Sequence, residues 1–260
     1  MKRFFTELKN NREYISFSVR ATLKAEVAGS YLNWLWWVLE PLLYMVIYAT
    51  VFGMIFESSE QYYPVFIFIG NTFWALFSRT VTSSVSLIKQ NETIISKVYL
   101  PKYILLIVDM GVNCFKFSLN LILIGVMMVI FKIPVSIYMI YIIPILIVLF
   151  IISFGIGTFL MHYGVYIEDL TYAVSILMNM LMFFSGVFYS VGDRLDYPIG
   201  VIVEKVNPVA FILKSARQAL IYGQKPDIAL LMIWLGIGIM LSILGVRKLY
   251  KNENNYAKVI

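Results

Sequence analysis

Long apolar runs separated by short polar segments set the pattern of this chain. A hydrocarbon core about 30 Å thick takes about 20 apolar residues per helix. On that measure the pattern predicts six membrane spans, over 34–56, 63–87, 103–131, 137–162, 171–191 and 228–246. Three segments outside the spans carry patterns of their own. In the head, 1–30, Phe4 or Phe5, Leu8, Ile15, Val19 and Leu23 recur at helical spacing against Lys9, Arg12, Arg20 and Lys24, the signature of an amphipathic helix lying on the membrane. In KQNETIISKVYLPKYILL, Asn91 is placed to cap a short helix bearing Ile94, Ile95, Val98 and Tyr99, and Pro101 ends the segment. Such a helix fits either the groove of another protein or the lipid surface. After the fifth span, Asn207 is an N-cap, Pro208 suits the first helical turn and Gly223 a C-terminal stop. Val209, Ile212, Leu213, Ala216 and Leu220 form one face there, with Lys214, Arg217 and Gln218 opposite. Too short and polar to cross, this helix and the apolar YPIGVIVEKV before it predict a re-entrant hairpin over 192–226, tolerable where protein or a watery cavity satisfies its backbone.

Composition fixes the class. With 60% hydrophobic and 14% charged residues, the chain reads as an all-α integral membrane protein with little left for a soluble domain. The head lacks the apolar core and small-residue cleavage site of a signal peptide. Basic residues crowd the head and the tail (Arg247, Lys248, Lys251, Lys258) and the second loop (Lys89, Lys97, Lys102), which places both termini in the cytoplasm. The first loop, FESSEQYYP, has acids and no base and belongs outside; the fourth, with Glu168 and Asp169, votes weakly against its expected cytoplasmic side. The net charge of +6 thus reflects topology and anionic lipid rather than nucleic acid.

Several chemistries are missing. No glycine is followed directly by lysine, so no phosphate-wrapping G-x-x-x-x-G-K-[ST] loop exists and the chain does not hydrolyse ATP by itself. His162, the single histidine, reads as an interfacial residue near the end of span four, with no ligand-spaced Asp, Glu or Cys around it; no metal or cofactor is expected on this chain. Cys114, alone, reads as a packed residue of span three. The polar residues inside spans therefore stand out. Trp37, Glu40, Tyr44 and Tyr48 follow at spacings of three and four and share a face. Asp109 and Lys116 share a face of span three, too far apart to pair directly. Asn71 and Arg79 are polar in span two, and Gly155, Gly157, Gly238 and Ser242 permit close helix approach.

Four motifs in order, S-x-L-x-W-x-W-x-x-x-E-P at Ser30 to Pro41, S-K-V-Y-L-P-K at Ser96 to Lys102, F-F-S-G-V-F-Y at Phe183 to Tyr189, and Asn207-Pro208 with Arg217, resemble the ABC-2 type permeases that export bacterial O-antigen, capsule and teichoic acid. The resemblance covers nearly the whole chain. It implies a homodimer in the bacterial cytoplasmic membrane that encloses a channel for a lipid-linked glycan, with ATP and Mg bound by a separate ABC ATP-binding subunit. It also implies that 90–101 is the coupling helix, with Asn91, Ile94, Ile95, Val98 and Tyr99 as contacts. Trp37, Glu40, Tyr44 and Tyr48 would line the channel, their rings offering surfaces on which sugars stack; an interfacial tryptophan belt with Glu40 at a helix contact is the alternative. Lys214 and Arg217 become outer-gate or phosphate contacts, or a solvated helix face. Two positions depart from the pattern: Asn33 stands where a glycine is usual and Glu168 where a base is usual. Three other functions remain open: an ABC-2 exporter of a drug or small lipid, an ion-coupled flippase using Glu40 or Asp109, and a glycan-modifying membrane enzyme, for which no catalytic cluster is visible.

Overall fold

The computed structural model describes residues 2–29, 31–55, 60, 62–194 and 198–259. Ser30, most of the first outer loop and residues 195–197 of the expected hairpin lie outside the described residues. The described residues form helices joined by turns: α1 Lys2–Asn10, α2 Arg12–Val27, α3 Trp36–Ile55, α4 Tyr63–Gln90, α5 Glu92–Ile95, α6 Lys102–Ile130, α7 Ile142–Tyr166, α8 Leu170–Phe184, α9 Val191–Arg194, α10 Ile199–Val206, α11 Pro208–Leu220, α12 Ile228–Lys251 and α13 Glu253–Val259. Among the described residues five stretches are long and apolar enough to cross a membrane: Asn33–Gly53, Tyr63–Gln90, Lys102–Ile130, Ile137–Tyr166 and Ile228–Lys251. The fifth expected span is shorter than its pattern predicted. α8 stops after 15 residues at Phe184, and the chain turns at Ser185 and Gly186, whose φ of 69° suits glycine.

The bundle is organised around α4, whose apolar stretch is 72% buried. α3, α6, α7, α8 and α11 all pack on it, and α12 packs on α7. Small residues set the closest approaches. A Cβ on Gly155 would lie 2.9 Å from the Leu241 Cβ and 3.2 Å from the Gly238 carbonyl oxygen, so the α7–α12 contact uses Gly155, Gly238 and Ser242, whereas Gly157 faces Leu106 of α6 and Ser84 of α4. Gly164 sits directly against the Val85 carbonyl of α4. By contrast α3 is mostly exposed or half-buried, with Pro41 its buried residue among the described ones, and Pro41 withholds a hydrogen bond from the Trp37 carbonyl.

Several local expectations change. The head is two helices broken at Asn11, with α2 held to α6 by Glu26 and Lys116 at 2.6 Å. Cys114 is exposed on the outer side of α6, because one helix in a small bundle buries only part of its circumference. His162 is buried, its Nδ1 2.8 Å from the Tyr256 hydroxyl, so it closes the bundle against α13 rather than facing an interface. Asn91 stands at the N-cap position of α5 as expected, but its side chain makes no cap bond there; its Nδ2 donates back to the Leu87 carbonyl at 2.8 Å, closing α4.

Adding a methyl at Gly164 forces α4 and α7 apart, so Gly164→Ala is expected to cost about 1–3 kcal/mol by overpacking. Gly236→Ala, where a Cβ meets open space, should leave stability unchanged. Thermal melts of the detergent-solubilised chain compare the two.

Candidate functional site

The first span places Glu40, Tyr44 and Tyr48 along one wall of a cavity of about 210 Å³, faced by Asn71, Ser78 and Arg79 of α4, Asn120 of α6 and Met182 of α8. Trp37 is not in this wall. It turns to α6, where its ring meets Phe115 edge-on at 5.7 Å, because the cavity opens one turn further along α3. Glu40 is not a lone carboxylate: Oε1 accepts from Arg79 Nη2 at 3.2 Å, the two side chains being 46% and 43% exposed. A pair this open adds little stability, but it cancels the charge that makes an acid or base expensive within a span. Deeper in the same cavity, Thr72 Oγ1 and Asn120 Oδ1 are buried and have no hydrogen-bond partner among the described residues. Such atoms favour a polar ligand, since a buried acceptor left unpaired costs about 1–3 kcal/mol.

Aromatic rings continue from the cavity along α3. Tyr44 stacks on Tyr48 at 5.7 Å, Tyr48 meets Phe188 at 4.7 Å, and Phe188 lies parallel to Phe52 at 4.4 Å. Sequence spacing found Tyr44 and Tyr48 but not Phe52, Phe188, Thr72 or Asn120. Phe188 comes from the turn after α8, and Thr72 and Asn120 are ordinary polar residues of spans until their helices meet.

At the α5 end, a polar network gathers the head, the loop after α5 and the tail. Arg3 donates to Glu7 at 2.7 Å, to the Tyr99 hydroxyl at 2.6 Å and to Glu253 at 3.3 Å, with its guanidinium 4.3 Å from the Tyr250 ring centre. Glu7 also accepts from the hydroxyls of Tyr103 at 2.8 Å and Tyr250 at 2.5 Å. Burial pushes the Glu7 carboxyl up, but the bonds from Tyr250, Arg3 and Tyr103 outweigh it and hold the group below its usual range. The coupling candidates divide. Ile94, Val98 and Tyr99 are exposed, whereas Ile95 packs inward on the cluster around Ile88, Leu100 and Tyr103, and Asn91 is used on Leu87. Glu168 reaches Lys89 at 3.4 Å, linking the α7–α8 loop to the end of α4.

At the opposite end, the hairpin is bound by side chains to main-chain oxygens. Asn207 caps α11 as its position predicted, Oδ1 accepting from the amides of Val209 and Ala210; the helix ends at Leu220 with Ile221 as its C-cap, and Gly223, with a φ of 57°, turns the chain just beyond it. Arg217 departs from the expected polar face. It is 4% exposed, donating to Gly186 O at 2.7 Å, Val187 O at 2.8 Å and Phe66 O at 3.2 Å while stacking 3.4 Å from the Phe66 ring. Two of these carbonyls belong to the turn after α8 and the third to α4, so Arg217 clamps the turn to α4 and α11 while also lining, with Lys214, a cavity between the hairpin helices. Lys214 pairs with Glu204, whose other oxygen accepts from the Gly192 amide at 2.9 Å.

The sequence model of the family described as ABC-2 type transporter matches residues 15–221. The chain belongs to the ABC-2 type transporter family. The match runs from α2 through the end of α11 and so takes in the cavity, the loop after α5 and the clamp. Among similar curated proteins are the O-antigen export system permease protein RfbA of Myxococcus xanthus, 26% identical over 93% of both chains, and that of Klebsiella pneumoniae, 25% identical over 92% of this chain and 91% of the relative. In this ABC-2 chain, as in the relatives, the resemblance spans nearly the whole length.

Replacing Arg217 by Leu orphans three carbonyls and is expected to destabilise the fold by about 3 kcal/mol. Arg217→Lys should recover only part of this, because an ammonium does not reproduce the fork; melting temperatures of the two variants read the difference.

Proposed function

We propose that this ABC-2 chain is the membrane-spanning permease subunit of an ATP-driven exporter of a lipid-linked polysaccharide. The observation that carries the reading is a cavity lined by Tyr44, Tyr48, the Glu40–Arg79 pair and unpaired oxygens of Thr72 and Asn120, in a chain similar throughout to O-antigen export permeases. Tyrosine faces, amide and hydroxyl oxygens and a neutralised ion pair suit a sugar, which presents apolar C–H faces and hydroxyl edges together. A substrate without several hydroxyl donors leaves these polar acceptors unpaired.

In this reading α8 and the residues after it make a sixth crossing, both termini are cytoplasmic and the membrane is the bacterial cytoplasmic membrane. Two copies meet through the unburied face of α3 and enclose the path. A separate ABC ATP-binding subunit docks on Ile94, Val98 and Tyr99. Its closure moves the loop after α5, and the hydrogen bonds from Tyr99 through Arg3 to Glu7 and Glu253 carry that movement to the head and the tail. The α9–α11 hairpin, pinned by Arg217 and the Glu204–Lys214 pair, gates the outer end.

Two outcomes test this. A cognate ABC ATP-binding subunit co-expressed with this chain is expected to co-purify with it, and Ile94→Asp with Val98→Asp should reduce recovery about tenfold or more, the equivalent of at least about 1.4 kcal/mol. Undiminished recovery places the docking surface elsewhere. Glu40→Leu, which leaves Arg79 unpaired in the cavity wall, should slow glycan export in cells about tenfold, or about 1.4 kcal/mol on the barrier; unchanged export at equal expression removes the cavity from the path.

A further inference from the structure

A second cavity, of about 430 Å³, lies away from the proposed path, between α1, α7 and α12 at the α5 end of the bundle. Its walls are Phe4, Phe5, Ile151, Phe154, Ile239 and Ile243, with three polar side chains among them. Two of the three are committed elsewhere. Ser242 Oγ donates to Gly238 O at 2.8 Å and lies 3.2 Å from Ile151 O, and the Tyr250 hydroxyl donates to Glu7. The third, Arg247, is exposed, and nothing among the described residues forms an ion pair or hydrogen bond with it.

The arrangement along α12 is directional. Ile239, Ile243 and Arg247 recur every four residues, which places the Arg247 backbone about 12 Å along the helix from that of Ile239. Lys251 follows one turn later and is also exposed. The groove is therefore apolar toward the middle of the span and cationic at its end. It opens to the side, where Phe5 is 61% and Ile239 42% exposed. An occupant that satisfies both ends has a hydrocarbon chain some 12 Å long or more and one anionic head. A soluble peptide or nucleotide leaves the hydrocarbon wall unfilled, and a neutral lipid leaves the guanidinium unpaired.

We propose that this groove is a binding site for an anionic glycerophospholipid, whose acyl chain lies against Ile239, Ile243 and Phe5 and whose phosphate meets Arg247. Basic pockets between membrane helices recognise such headgroups through this charge pairing. Because α1 forms one wall and Glu7 of α1 holds Tyr250 of the opposite wall, the lipid braces the head helix against the bundle. The leaflet is the cytoplasmic one in the orientation proposed above; the site itself does not depend on that orientation or on an ATP-binding partner.

The chain, purified in detergent and stripped of lipid, is titrated with phosphatidylglycerol or phosphatidylcholine of matched acyl chains, and bound lipid is read by native mass spectrometry. Wild type is expected to retain phosphatidylglycerol about fivefold better, the ratio given by about 1 kcal/mol per basic residue near a charged lipid. Arg247→Gln should equalise the two, and Ile243→Trp, which fills the groove, should lower both. Equal retention by wild type, or a preference that survives Arg247→Gln, overturns the proposal and leaves only ordinary annular lipid. A phosphatidylglycerol with a photoreactive acyl chain, used on wild type so that no variant need fold, should label α1 and α12 around Phe5 and Ile243; label confined to other helices overturns it as well. Failure here leaves the ATP-binding subunit pull-down unaffected, and failure of that pull-down leaves lipid retention readable.

Discussion

Hydrocarbon offers no hydrogen bonds, so each main-chain polar group that a membrane helix does not satisfy internally must find a partner in the protein. In this ABC-2 chain the constraint is most acute where α8 ends and the chain turns through Ser185 to Tyr189. Several of the carbonyls released there are taken by side chains. Tyr189 donates to Phe183 O at 2.6 Å, Arg217 to Gly186 O and Val187 O, and Tyr63 to Phe188 O at 3.0 Å. Those donors come from three separate parts of the sequence, so the turn, the start of α4 and α11 form one unit. The buried Arg217 charge is tolerated because four oxygen contacts and the face of Phe66 surround it.

The same principle governs the cavity, with a different result. Glu40 and Arg79 neutralise each other, yet Thr72 and Asn120 keep oxygens without partners in the wall they share. Where the turn spends four of its carbonyls on side-chain donors, the cavity withholds polar atoms, and that difference separates a scaffold from a surface suited to a hydroxylated ligand. The adjoining rings of Tyr44, Tyr48, Phe188 and Phe52 extend that surface toward the hairpin and tie it to the clamped turn through Phe188.

The opposite end uses charge to join elements distant in sequence. Arg3 and Glu7 on α1, Tyr99 after α5, Tyr103 at the start of α6, Tyr250 at the end of α12 and Glu253 on α13 share one network. Movement of the loop after α5 therefore strains the head and the tail together. The lipid groove beside α1 lies against this network through Tyr250, so what occupies the groove bears on how firmly the head is held.

The sequence by itself determined the class, the positions of the long helices and the cap at Asn207, because each depends on local hydropathy or cap chemistry; it marked Gly155 and Gly238 as able to admit a close neighbour, but not which helix that is. It also brought Glu40, Tyr44 and Tyr48 onto one face, since helical spacing is a local property. Tertiary structure decided the rest. Arg217 reads as a polar-face residue in its own helix and becomes buried only because α8 ends early and leaves carbonyls for it. Trp37 shares a helix face with Glu40 but is claimed by Phe115. Ile95 turns inward while Ile94 and Val98 stay exposed. Arg79 finds Glu40 only when α3 crosses α4. Which neighbour a side chain meets is set by how helices far apart in sequence approach, and no periodicity within one helix encodes that.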